Sequence, residues 1–433
     1  MIFSLFFSRI TKMRQSQLFG KTLREDPKDE VAANAKLLER GGFVHKNSAG
    51  IYSYLPLGWR VLQKIAKIIR EEMDAIGGQE LFMPALVERK YMEPTGRWGV
   101  EIGLEVKGKD EKEASFVLGW THEEVLTAIA KHFINSYKDL PTALYQIQTK
   151  FRNEPRAKSG LLRGREFMMK DLYSFHADEK DFEGYYAKVK DAYNKIFRRA
   201  GLKAVYTLAA GGVFTESNTH EFQVAAPVGE DTILVCTDCE YAENKEISHL
   251  KDGEQCPKCK GKIQEKSAIE VGNIFPLGTK YSEALDLRFI DEKGDKKHVI
   301  MGSYGIGLGR LMGTIVEIHK DDKGIIWPES VAPFGVHLIE LGTKNEELGK
   351  KVKKEAEDLY DGLIAKGVEV LYDDRAEKTA GEKFADADLL GIPWRVVISE
   401  KTLKEKSVEI KKRSAGNAEL VKLTEAVQTL TKK

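Results

Sequence analysis

Residues 145–176 read YQIQTKFRNEPRAKSGLLRGREFMMKDLYSFH, and their alternation decides the architecture. Tyr145, Ile147, Thr149 and Phe151 fall on one face at the two-residue period of a strand, while Gln146, Gln148, Lys150, Arg152 and Glu154 fall on the other. The segment Pro155–Gly164 is a loop carrying Arg156, Lys158 and Arg163. A second strand, Arg165–His176, sets Phe167, Met169, Asp171 and Tyr173 on a single face. The pair predicts an antiparallel hairpin with a long basic loop. A guanidinium beside a carboxylate on an open strand face can neutralise phosphate while the acid accepts from an amine. Taken alone, the same face also suits a surface strand with an ordinary ion pair.

Working outward, Asp26 as N-cap, Pro27 at the first turn and Gly41 as terminator predict a helix. Val61, Leu62, Ile65, Ile68, Ile69, Met73 and Ile76 keep helical spacing up to Gly77-Gly78. The extended segment Gln79–Leu86 contains Pro84, which cannot donate to a ladder, so it belongs at an edge or an interface. Residues 107–113 (KGKDEKE) read as a solvated loop. Asp178–Ala200 is amphipathic and ends at Gly201. From about Phe334, strands at 335–340, 368–373, 393–398 and 407–412 alternate with helices at 345–366, 380–390 and 417–431, a small α/β domain after a linker at 326–333.

Met301–Arg310 (MGSYGIGLGR) reads as a strand turning into a helix, with glycines that admit close backbone approach and an arginine one turn in. It lacks the Lys-Ser/Thr of a P-loop and does not open a βαβ dinucleotide unit. Cys236-x2-Cys239 and Cys256-x2-Cys259, sixteen residues apart, have the spacing of a tetrahedral, structural Zn²⁺ site, although four free thiols share that sequence.

Bulk properties are permissive. The 433 residues imply two or three domains. Lys and Arg number 68 against 67 Asp and Glu, so a polyanionic partner must be met by local charge clusters. No apolar run is long enough to span a membrane. Met1–Phe7 (MIFSLFF) lacks the basic leader and cleavage site of a signal peptide, and the first twelve residues read as an upstream start or a weak presequence. Four clustered cysteines do not make a secreted disulfide framework, so the expected location is cytoplasmic.

Together, the helix and strand ending near Pro84, the FRNE hairpin and the GIGLGR strand–helix resemble motifs 1, 2 and 3 of the class II aminoacyl-tRNA synthetases. The motifs span about 57–86, 143–176 and 298–319. YSYLPLG (52–58), TGRW (95–98), THEE (121–124), GLLRGREFMMKDLYSFH (160–176), THEF (219–222), GTKYSEA (278–284) and DLLGIP (388–393) point to the bacterial-type prolyl family. The THEE loop and the KDLYSFH strand argue against the threonyl and histidyl families, and a catalytically dead paralogue would be free to lose Arg152 or Arg310.

The resemblance implies an α+β catalytic domain at 13–330, an antiparallel sheet flanked by helices. It also implies a short zinc-ribbon-like insertion at 230–268 and a C-terminal α/β anticodon-binding domain at 334–433. It implies ATP-dependent ligation of L-proline to tRNA(Pro) through prolyl-adenylate, with Mg²⁺, by a homodimer. Arg152 and Arg310 would be the catalytic cations. Arg152, Glu154, Arg163, Phe167, Gln223 and Arg310 would hold ATP. Thr121, Glu123, Arg152, Met169, Asp171, Tyr173, Glu221, Phe222 and Gly302, with Thr219 nearby, would shape the proline site. Arg375, Lys383 and the lysines and arginine of 401–413 would meet the anticodon. His122, His176 and His220 would act as hydrogen-bonding supports and not as bases. Only about 25 residues separate Tyr241–Asn244 from Ile269–Asn273, where longer members carry an editing domain, so a separate trans-editing protein is expected. Asn273 stands where the family usually has histidine.

Overall fold

The computed structural model describes residues 12–432 except 29, 213, 214 and 216. The readings of Met1–Phe7 and of the first twelve residues fall, Lys12 apart, outside the described residues.

The hairpin forms as the alternation requires: Thr142–Phe151 runs antiparallel to Glu166–His176, with Gln146 opposite Asp171 and Lys150 opposite Phe167. It sits inside a nine-stranded sheet. Ile300–Gly307 pairs with the far side of Glu166–His176, and the long strand Ile263–Gly278 follows it. Beyond lie Asp231–Cys236, Ala242–Asn244, Val205–Ala209 and Thr219–Ala225, the last also pairing with Ile263–Gly278. At the opposite edge Gln79–Glu80 runs parallel to Thr142–Phe151. Pro84 interrupts the segment predicted at 79–86, which splits into Gln79–Glu80 and Leu86–Glu88 because proline brings no N–H to a ladder.

Helices Pro56–Ala75, Glu179–Arg199 and Leu308–Ile318 bury their apolar stripes on one face of this sheet. Val61, Ile65 and Ile69 meet a core that also holds Tyr193, Phe197, Leu311 and Ile315. Each such side chain withdrawn from water contributes about 1.5–3 kcal/mol. Asp178 caps its helix by accepting from Asp181 N. The other sheet face is roofed by the small sheet of Leu86–Glu88, Phe116–Leu118 and Leu104–Val106 and by helix Glu123–Ala130, over a second apolar cluster.

The first helix starts later than its sequence suggests. It spans Ala33–Arg40 with Ala32 at the N-cap, and Asp26 instead accepts from Arg40 Nη1 at 3.1 Å.

The C-terminal sheet has six strands, in the order Met13–Arg14, Val370–Asp373, Val336–Glu340, Trp394–Ile398, Ser407–Lys412 and Glu419–Lys422. Two of these were not expected. Glu419–Lys422 pairs with Ser407–Ile410, so the last helix begins only at Leu423. Met13–Arg14 reaches across the chain to run parallel to Leu371-Tyr372, so the start of the span assigned to the catalytic domain supplies an edge strand of this sheet. Nor is 326–333 a free tether. Trp327, Val331 and Ala332 are buried in the main core, Arg60 donates to Pro333 O at 2.8 Å, and Arg60 and Lys64 both pair with Glu369.

Candidate active site

The roofed face of the central sheet holds a cavity. The hairpin supplies Arg152, Phe167, Met169, Asp171 and Tyr173; the roof supplies Thr121 and Glu123; the neighbouring strands supply Glu270, Asn273 and Ser303. The polar side of Thr142–Phe151 is therefore an interior surface, with Gln146 and Lys150 fully buried.

Arg152 has no acceptor for its buried Nε among the described residues, and its guanidinium lies 5.1 Å from the centre of the Phe167 ring. Burial and then the Arg310 cation depress its pKa to about 10, so it stays charged at neutral pH. Two cations turned into one cavity, one of them lacking an anion, mark a site for a negatively charged ligand. Arg310 is anchored: Nε donates to Leu162 O at 2.9 Å and Nη1 to Glu270 Oε2 at 2.8 Å.

Across the cavity, Glu123 Oε1 accepts from Ser303 Oγ at 3.0 Å. Glu154 accepts from Arg156 N at 3.0 Å and from Arg163 Nε at 2.9 Å. Burial raises its pKa, but the Arg163 bond and the Arg156 N–H outweigh that and leave it below the usual carboxylate value. Asp171 is held low in the same way, Lys150 overcoming the cost of burial. Gly305 leaves room at the cavity for the Asn273 side chain, whose Oδ1 a Cβ there would approach to 2.9 Å.

Several expected positions are not brought to the cavity wall. A Cβ on Gly302 would meet Tyr304 Oη at 2.3 Å, so Gly302 faces the helix side of its strand. Phe222 packs in the main core against Tyr193 and Phe197, because residue parity on Thr219–Ala225 turns it away from Glu221. Thr219 is likewise spent, its hydroxyl donating to Ile274 O. Glu221 and Gln223 lie beside the cavity and not on its lining. Gln223 Nε2 donates to Glu221 at 2.8 Å and to Asp231 at 2.7 Å. Burial and then Glu270 push Glu221 up to about 8.

The three histidines stand off the lining. His122 Nε2 bonds Pro84 O at 3.0 Å, His176 bonds Asp181 at 2.6 Å, and His220 stacks on Tyr206 at 4.3 Å. Burial lowers all three, His220 to about 4.

In the C-terminal domain, Lys383 is buried and donates to Glu340 O at 2.7 Å and Asp373 O at 3.2 Å. Arg375 is pinned by Asp373 and Asp386 at 2.7 and 2.9 Å. Neither is free for a nucleic acid; both tie their own sheet and helix together.

Glu270, Asn273 and Ser303 were missed as wall residues. They stand among apolar and glycine neighbours at 268–277 (AIEVGNIFPL) and 300–307 (IMGSYGIG), and an isolated polar residue in such a stretch was the available signal.

The sulfurs of Cys236, Cys239, Cys256 and Cys259 lie within 4.8 Å of one another. Cys236 and Cys259 are 3.4 Å apart and Cys239 and Cys256 3.7 Å. Tetrahedral Zn–S bonds of about 2.3 Å place sulfurs roughly 3.8 Å apart, so the set fits that ion. Backbone N–H groups of Asp238 and Gly261 donate to two of the sulfurs at 3.4 Å, the supporting bonds a thiolate ligand requires.

Residues 104–319 match the family model described as the tRNA synthetase class II core domain (G, H, P, S and T), and residues 335–433 match the anticodon binding domain. The proline–tRNA ligase of Exiguobacterium sibiricum is 35% identical over 567 residues, covering 96% of this chain and 99% of the relative. That of Geobacillus kaustophilus is 36% identical over 569 residues with the same coverage. The chain belongs to the proline–tRNA ligase family. Both alignments are longer than the 433-residue chain, so a long stretch of each of these proline–tRNA ligases faces a gap here.

Among solved structures, the Cryptosporidium parvum prolyl-tRNA synthetase complexed with L-proline and AMP superposes with a TM-score of 0.77. It is 20% identical, with 95% of this chain and 76% of that chain covered. The Giardia lamblia prolyl-tRNA synthetase in complex with prolyl-adenylate gives 0.75, at 20% identity, over 90% and 73%. At that identity they establish that the prolyl-tRNA synthetase fold is shared. Among the described residues no helix is long and apolar enough to cross a membrane.

Proposed function

We propose that this chain activates L-proline with ATP to prolyl-adenylate and transfers the prolyl group to tRNA(Pro). One observation carries the reading: an unpaired Arg152 and an anchored Arg310 face a cavity whose opposite wall is the Glu123 carboxylate. A zwitterionic amino acid and a polyphosphate together satisfy such a charge pattern. Arg152 would share the substrate carboxylate and the α-phosphate, Glu123 and Thr121 the imino group, and Glu154 and Arg163 the adenine end, with Phe167 beneath the base. The proline carboxylate attacks the α-phosphorus in line and pyrophosphate leaves. Positioning and charge stabilisation supply the rate, with no side chain as nucleophile or base.

Mg²⁺ would be held jointly with the phosphates, where it would neutralise charge on the departing pyrophosphate. The four cysteines would hold a structural Zn²⁺. Exposed Lys401 and Lys406 offer the anticodon a basic face in place of Arg375 and Lys383. Exposed Phe82, Leu86 and Phe133 support a homodimer, which light scattering would test. A cytoplasmic location would fit the charging of tRNA(Pro). The short Cys-rich insertion leaves mischarged alanyl-tRNA(Pro) to a separate protein, and deacylation of that species by this chain would contradict the point.

The deciding experiment is ATP–pyrophosphate exchange across the twenty amino acids, followed by charging of tRNA(Pro). Exchange that depends on proline supports the reading; exchange with none of them, or with another amino acid, overturns it.

A further inference from the structure

Glu123 works in a shielded place, and what holds it there is a residue outside the cavity wall. The Arg97 side chain is 4% exposed. Its Nη1 donates to Glu123 Oε2 at 3.1 Å, to Glu124 Oε1 at 2.8 Å and to Tyr281 Oη at 3.0 Å, while Nη2 donates to Thr121 Oγ1 at 2.7 Å. The guanidinium plane lies 4.0 Å from the Trp120 ring centre, on its face. A planar fork is needed to reach partners in these several directions, and an ammonium cannot reproduce it.

The surroundings leave Arg97 as the cation for this corner. Glu123 and Glu124 are adjacent, both fully buried, at the first turn of helix Glu123–Ala130. From the hairpin, Lys150 is taken by Asp171 and Arg152 faces the cavity, while Tyr173 Oη accepts from His122 N. From the remaining elements come Ser303, Tyr281 and Thr95, all uncharged. One cation therefore stands against two carboxylates. Burial raises the Glu124 pKa, so the negative charge left for a ligand sits on Glu123, whose Oε1 meets Ser303 at the cavity as an ammonium-bearing substrate requires.

We propose that Arg97 is a positioning residue for the amino acid: by gripping Thr121 and Glu123 together, and sharing its charge with Glu124, it fixes the wall that receives the substrate's amino group. The proposal rests on the amino-acid-activation reading above and adds a residue that does not touch substrate.

The test is steady-state exchange on the full-length protein with Arg97→Lys, Arg97→Met, Glu124→Gln and the Arg97→Met/Glu124→Gln pair, each checked for native circular dichroism. Unaltered protein showing no proline-dependent exchange would sink the parent reading; the variants judge this one. Losing charge-assisted bonds to both acids should raise KM for proline roughly ten- to hundredfold in Arg97→Met, with KM for ATP within about twofold. Adding Glu124→Gln should recover part of that loss, since it removes the second carboxylate left unpaired. If Arg97→Met does not fold, Arg97→Lys decides, with the same split expected at smaller size. Proline and ATP KM values that move together, or neither moving in Arg97→Lys, or no recovery in a folded double variant, would overturn the proposal.

Discussion

Lys150 Nζ donates to Asp171 Oδ1 at 2.7 Å, and neither side chain reaches solvent beyond 4%. Asp171 Oδ2 also accepts from Gln146 Nε2 at 3.0 Å and Tyr173 Oη at 2.9 Å. The carboxylate lines the cavity, yet its lone pairs are committed to the sheet. Its task is to hold Tyr173, whose oxygen in turn holds the backbone of His122. Removing one partner leaves a buried charge alone. Lys150→Met should lower stability by about 3–5 kcal/mol in urea unfolding, and Lys150→Met/Asp171→Asn should recover part of it. Equal losses in the single and double variants would refute this account.

Arg310→Ala should reduce proline-dependent exchange by about a hundredfold or more, because it deletes a preorganised cation where phosphate charge develops. Its anchors are Leu162 O and Glu270, both at the cavity, so near-UV circular dichroism should stay native. Near-normal exchange in the variant would contradict the assignment of Arg310.

Elemental analysis of protein purified without chelator should find one zinc per chain. Stripping it should loosen residues 236–262, where Cys236 and Cys256 pack with Leu234 and Ile263 in a small core of their own, while the central sheet keeps its amide protection. Hydrogen exchange by mass spectrometry would show the boundary; protection unchanged after stripping would argue against a bound ion.

Stability should fall with rising pH because of Glu221. Its folded pKa is raised from 4.5 to about 8, by burial first and then by Glu270 and Asp231. The folded protein therefore holds a proton that the unfolded chain has released. That contribution is complete below about pH 4.5 and is lost as pH climbs through 8. Glu221→Gln should flatten the decline between pH 5 and 8 in thermal melts. An unchanged slope would show that the carboxylate is not the titrating group.

Much of this was legible in one dimension. The hairpin's two-residue period gave both its faces, and Arg152, Phe167, Met169, Asp171 and Tyr173 share the cavity because strand parity leaves them no alternative. The same parity rule exposes the errors: Phe222 and Gly302 came from matched motifs, and a motif does not say which way a neighbouring residue points. The resemblance set Lys383 and Arg375 on a nucleic-acid face, but buried Asp373 claims both, a pairing that no local window reveals. Asp26 looked like a cap until tertiary packing started the helix later. Glu419–Lys422 was absorbed into a helical pattern, since a four-residue edge strand has too few alternations to announce itself.

The strand Met13–Arg14 has a consequence for how the chain comes off the ribosome. Its neighbour Ser16 bonds Asp374, 358 positions later. At roughly 5–20 residues per second, the first strand waits on the order of 20 to 70 seconds for the partner that completes its sheet edge. Every nascent copy thus carries an unmatched N-terminal strand until synthesis is nearly done. An enzyme that supplies translation is closed into shape only by nearly the last stretch of its own translation.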